Sequence, residues 1–159
     1  MGTLYSRCIA TLMSNGEYIF ALDNDDMIFG EDIFYYTYKI AKEYNYDIVG
    51  FKAVYAKNYS ENIRNMKDLE KYKFKNNLII KQPELSTWII SFEGKFKPHD
   101  VTLWAKIIKS TIYIESINLL GKKRFSTYMS WAEDTSMNFI IFSISQSFNK
   151  IIILTQKKF

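Results

Sequence analysis

The chain has 159 residues, 48% hydrophobic and 24% charged, with a formal net charge of +4, values that suit one ordinary domain with a sizeable core. Its lysines are scattered and paired with acids, densest at 71–75 and at Lys122-Lys123-Arg124, which argues against nucleic acid as a specific partner. No run of about 20 apolar residues exists to span a membrane, and a single Cys8 excludes an internal disulfide and favours a reducing, cytoplasmic location.

In chain order, the pattern predicts a helix over 3–14, with Cys8 a buried structural thiol, and then a strand over 17–22. A helix over 30–45 follows, with Ile33, Tyr36, Ile40 and Tyr44 on one face, and a strand over 47–56. From 57 to 98 the pattern degrades into irregular chain, with short strands around Leu78-Ile79-Ile80 and a helix over 66–72. Helical turns are expected over 101–120, ended by Gly121, with Lys106 as a helix-surface lysine and Trp104 in the core. A loop over 122–132 leads to a helix starting at Asp134 whose apolar stripe is Met137, Ile141, Ile144 and Phe148; a strand over 150–154 closes the chain. Helix, strand, helix, strand is the order of an α/β layered sheet.

The chemistry concentrates at Asp23-Asn24-Asp25-Asp26, which ends the apolar run Tyr18-Ile19-Phe20-Ala21-Leu22. Residues i and i+2 of an extended segment point the same way, so Asp23 and Asp25 can converge on one ion while Asp26 turns elsewhere. Such hard oxygen ligands suit Mg²⁺ or Mn²⁺ carrying a phosphorylated ligand. The same letters also read as a cap for the helix near Gly30, whose first turn carries Glu31 and Asp32. A calcium loop counted from Asp23 fails, because Ile28 and Phe34 stand where Gly and Glu are needed. A haloacid-dehalogenase-like phosphatase also ends a strand in Asp-x-Asp, but wants Thr or Val where Met27 stands.

Gly2, Ser6-Arg7, Gly16-Glu17-Tyr18-Ile19 and Leu22-Asp23-Asn24-Asp25-Asp26 resemble the middle of a family 2 glycosyltransferase of the GT-A fold. Downstream, Asp47-Ile48-Val49, Leu103-Trp104-Ala105-Lys106 and Glu133-Asp134-Thr135 follow in the family's order. The resemblance implies a truncated GT-A, Rossmann-like mixed sheet flanked by helices. It also implies inverting transfer of a sugar from a nucleotide-sugar donor to an acceptor hydroxyl, with Mn²⁺ or Mg²⁺. Asp25 would coordinate the metal with help from Asp23, and Arg7, Asp23 and Asp26 would face the donor. Cys8 stands where the family usually has Asn. Asp134 would be the general base, oriented by Glu133, and Trp131 could stack on the acceptor sugar; Asp134 also reads as the N-cap of its own helix.

The family begins with a strand and helix that cradle the nucleotide base, and nothing of that kind precedes Met1, so 1–159 reads as one partial domain with 57–98 as a variable acceptor-side insert. The strand over 17–22, an inner strand in the family, then becomes an open edge. Self-association, a partner chain supplying the absent strands, or a non-catalytic remnant used for interaction are the expected consequences.

Overall fold

The computed structural model describes residues 2–24, 26–28, 33–56, 78–87, 103–126 and 133–158. In chain order the elements are α1 (Thr3–Met13), β1 (Tyr18–Phe20), β2 (Asp26–Met27), α2 (Ile33–Glu43), β3 (Ile48–Ala56) and β4 (Leu78–Lys81). They continue with α3 (Glu84–Thr87), β5 (Lys106–Lys109), α4 (Ser110–Leu120), α5 (Lys122–Ser126), α6 (Glu133–Ile144) and β6 (Ser147–Lys158). No helix among the described residues is long and apolar enough to cross a membrane.

The strands make one mixed sheet in the order β1-β5-β3-β6-β2, with β4 also paired to β6. Antiparallel β5 lies between β1 and β3, and β3 and β6 are parallel, so β1, β3 and β6 run in one direction. Side chains alternate across the pleat and build two cores. Ile19, Ala21, Ile48, Ile108 and Phe148 face α1, α4 and α6. Tyr18, Phe20, Val49, Phe51 and Ile107 face α2. The result is a Rossmann-like α/β sandwich with helices on both faces of the sheet.

Local chemistry explains the helix limits. α1 buries Leu4, Cys8 and Thr11, one stripe at helical spacing. α4 stops at Gly121, whose N–H still makes the last helical bond, to the Ile117 carbonyl at 3.0 Å, before its φ of 81° turns the chain away. α2 is followed by Asn45 at φ 50°, another left-handed turn, and the Tyr46 N–H closes on the Ala41 carbonyl at 2.9 Å. At the end of α6, Gln82 donates from Nε2 to the carbonyls of Phe142 and Ser145, at 3.1 and 2.7 Å, groups the helix leaves without a partner of its own.

Several expectations need correction. The buried stripe of α2 is Ile33, Thr37 and Ala41, not Ile33, Tyr36, Ile40 and Tyr44. The bulk comes from the sheet side, where the Tyr18 hydroxyl donates to the Tyr46 carbonyl at 2.9 Å, so small α2 residues sit opposite it. The helix expected over 101–120 is β5 followed by α4. Lys106 therefore lies in an inner strand at 2% exposure, its ammonium 5.7 Å from the Phe142 ring centre, rather than on a helix surface. The expected loop after Gly121 opens with the helix α5, and Phe148 belongs to β6 rather than to the stripe of α6. Trp104 and Cys8 are in the core as expected. Within 57–98, residues 78–87 form β4 and α3, with β4 joined to the sheet, while the helix expected over 66–72 lies outside the described residues.

Two expected outcomes follow from this packing. A Cβ added at Gly50 would lie 2.8 Å from the ring of fully buried Phe148, so Gly50→Ala should cost roughly 1–3 kcal/mol of overpacking strain, read as a lower urea midpoint at unchanged m-value. Burial pushes the Cys8 thiol up to about 11 from 9.0. Because the folded value is the higher one, this stabilisation is complete below pH 9.0 and is lost as pH rises towards about 11. At pH ~8 a thiol reagent should leave Cys8 unlabelled in the folded chain and label it fully in urea; fast native labelling would contradict the burial.

Candidate functional site

β1 ends at the carboxyl side of the parallel strands, and the chain leaving it reaches Asp23 within three residues of Phe20. In open α/β sheets this end is where ligands bind. α1 starts near the same end, runs away from it into β1, and presents Arg7 there; α6 starts there and presents Asp134. Arg7 Nη2 pairs with Asp23 Oδ1 and Arg7 Nη1 with Asp134 Oδ1, so one guanidinium joins two carboxylates 16 and 127 residues away in sequence. The three side chains are 13%, 24% and 19% exposed, enough shielding to strengthen the pairing and enough opening for a ligand to reach it.

The charges explain the arrangement. Burial works against the charge of Arg7, but Asp134 and then Asp23 more than offset it and hold its guanidinium above the ordinary range. Asp134 is tied down a second time, its Oδ2 accepting the Leu103 N–H at 3.2 Å. That N–H is brought round by Ala105, whose φ of 60° turns the chain from the short parallel bridge of Trp104 with Ala21 into antiparallel β5. A left-handed alanine is strained, and here it sets a backbone donor against the acidic pair.

Beside the triad lies a groove of about 790 Å³, lined by one side of α1 (Thr3, Arg7, Ala10, Ser14), by the β1 edge from Tyr18 to Leu22, by Asp23 and Asn24, and by Tyr113 of α4. It falls in the size range of small-molecule sites, roughly 300–1,000 Å³.

Of the residues singled out from sequence, Arg7, Asp23 and Asp134 come together. Asp26 lies in β2, opposite Lys157 of β6 in the strand register, and its N–H bonds the Asp23 carbonyl at 3.1 Å. Glu133 is the first residue of α6. Asp25 and Trp131, the expected metal ligand and acceptor platform, lie outside the described residues. Among the described residues no group of three or more His, Cys, Asp or Glu converges as metal ligands. Asp23 is a hard oxygen ligand of the kind that suits a divalent cation, and with both oxygens of Asp134 engaged by Arg7 and the Leu103 N–H its partner in such a site would be Asp25. The Leu103 N–H and the α1 side of the groove were not anticipated. A backbone donor leaves no mark in the residue letters, whereas the small and polar spacing Thr3, Arg7, Ala10, Ser14 was a readable helical stripe. The sequence matches no protein-family model and no curated protein.

Proposed function

We propose that this chain carries the donor and base side of an inverting, metal-dependent glycosyltransferase that uses a nucleotide-sugar. The observation that carries the reading is Arg7 drawing Asp23 and Asp134 together at the carboxyl end of β1. Asp23, with Asp25, would hold Mn²⁺ or Mg²⁺; when bound, the cation supplies positive charge against the donor's two phosphates and the leaving nucleoside diphosphate. Arg7 keeps two carboxylates from repelling each other and has the planar donor geometry that suits a phosphate. Asp134, fixed at the start of α6, takes the proton of the acceptor hydroxyl as that oxygen bonds to the anomeric carbon and the bond to the diphosphate breaks on the opposite side. The acceptor would approach from the side of Trp131, and Glu133 would orient the loop.

Titration calorimetry with UDP and with GDP in the presence of Mn²⁺ tests the reading. Binding that requires Mn²⁺ and is lost in Asp25→Ala is the expected result; binding unchanged by Asp25→Ala removes the metal assignment.

One observation favours a second reading, a non-catalytic module. Both oxygens of Asp134 are already engaged, by Arg7 and by the Leu103 N–H, an arrangement that also serves to lock α1, β1 and α6 together. A cooperatively folded chain that binds neither nucleotide would select it.

A further inference from the structure

The β1 edge carries an inference that does not depend on the proposed chemistry. Among the described residues β1 is the last strand of the sheet on its side. The Ser110 N–H bonds the Glu17 carbonyl at 2.9 Å and the Lys109 N–H bonds the Asp47 carbonyl at 2.8 Å, which sets the alternation across β5. Ile19, opposite Ile108, therefore turns its backbone groups towards β5, and the N–H and C=O of Tyr18 and Phe20 turn outward. They open into the groove under α1. The segment Tyr18-Ile19-Phe20-Ala21-Leu22 has no lysine, proline or other charge, the devices that ordinarily protect an edge. Its second flank is apolar and open: Leu22 is 47% and Phe34 46% exposed, and the Phe34 ring stands 5.2 Å from that of Phe20.

We infer that this edge is a docking site for a single extended polypeptide segment from another protein, apolar at alternate positions and basic at the end that lies over Asp23. The free edge from Tyr18 to Leu22 offers room for about five residues at ~3.3 Å each. Backbone bonds to Tyr18 and Phe20 give the affinity, and alternate side chains meet Ile19 and Ala21 on the α1 side and Phe20 and Phe34 on the other. The basic preference follows from charge, because Asp23 and Asp134 together exceed Arg7 by one negative charge at the Leu22 end. A second copy of this chain fits poorly. Pairing β1 with β1 would bring two α1 helices over one seam, where strands sit ~4.8 Å apart and packed helices need ~8–10 Å.

The test uses the ¹⁵N-labelled full chain and the synthetic peptide acetyl-Lys-Val-Thr-Val-Thr-Val-Lys-amide, with the same peptide methylated on every backbone nitrogen as control. Amide exchange of Tyr18 and Phe20 should slow by at least about tenfold at millimolar peptide, with Ile19 unchanged and the methylated peptide inert. Asp23→Asn should weaken this peptide and leave a version with Ser in place of both lysines unaffected. No slowing at Tyr18 and Phe20 overturns the inference, as does equal binding of the methylated peptide. A free chain that is dimeric by light scattering, with both amides already protected, would assign the edge to a second copy instead.

Discussion

Replacing Arg7 with Gln should lower the unfolding free energy by about 3 kcal/mol, more than removing either acid it holds. The asymmetry comes from what each change leaves behind. Without Arg7, the carboxylates of Asp23 and Asp134 face each other, 24% and 19% exposed, with no cation between them. In Asp23→Asn or Asp134→Asn, Arg7 retains one full ion pair, and the expected cost is about 1 kcal/mol. The triple variant Arg7→Gln, Asp23→Asn, Asp134→Asn should recover most of the loss, because it removes all three charges at once. Urea midpoints for the four variants settle the comparison. Should Arg7→Gln cost no more than the single acid variants, solvent screens the cluster and it does not hold α1 to α6.

The ability to foresee this triad from the letters was uneven. Strand and helix periods made α1, β1, β3 and α6 readable, because each is a run of one period bounded by polar or turn residues. β5 was not: Lys106-Ile107-Ile108-Lys109 runs without a break into the helix Ser110–Leu120, and one apolar pair between two lysines looks like one more helical turn. Missing β5 concealed why Lys106 is buried, and it concealed the turn at Ala105 that aims the Leu103 N–H at Asp134. Arg7, Asp23 and Asp134 were each picked out through resemblance to family motifs, yet no spacing rule links positions 16 and 127 residues apart. Their meeting is a product of topology: α1, β1 and α6 all bring one end to the carboxyl side of the sheet. The place of β1 at the end of the sheet among the described residues agrees with the edge expected for 17–22, whereas the groove that α1 forms along it needed the helix packing itself.

If the chain is the glycosyltransferase proposed above, Asp134→Asn is expected to reduce kcat/KM for sugar transfer by roughly 10²–10⁴ while nucleotide affinity with Mn²⁺ stays close to that of the parent chain. Asn preserves the shape of the side chain and still offers an oxygen to the Leu103 N–H, so the start of α6 is retained; what disappears is the ability to accept the acceptor's proton. Asp23→Asn should fail in the opposite way, weakening nucleotide binding first, since Asp23 lines the groove beside Arg7 and the proposed reading gives it to the metal and the donor. This split between rate and affinity separates a base from a brace. An Asp134 that only ties Arg7 and Leu103 together would lower stability, affinity and rate in concert when changed to Asn, and a reduced urea midpoint in Asp134→Asn comparable to that of Arg7→Gln would identify the carboxylate as structural.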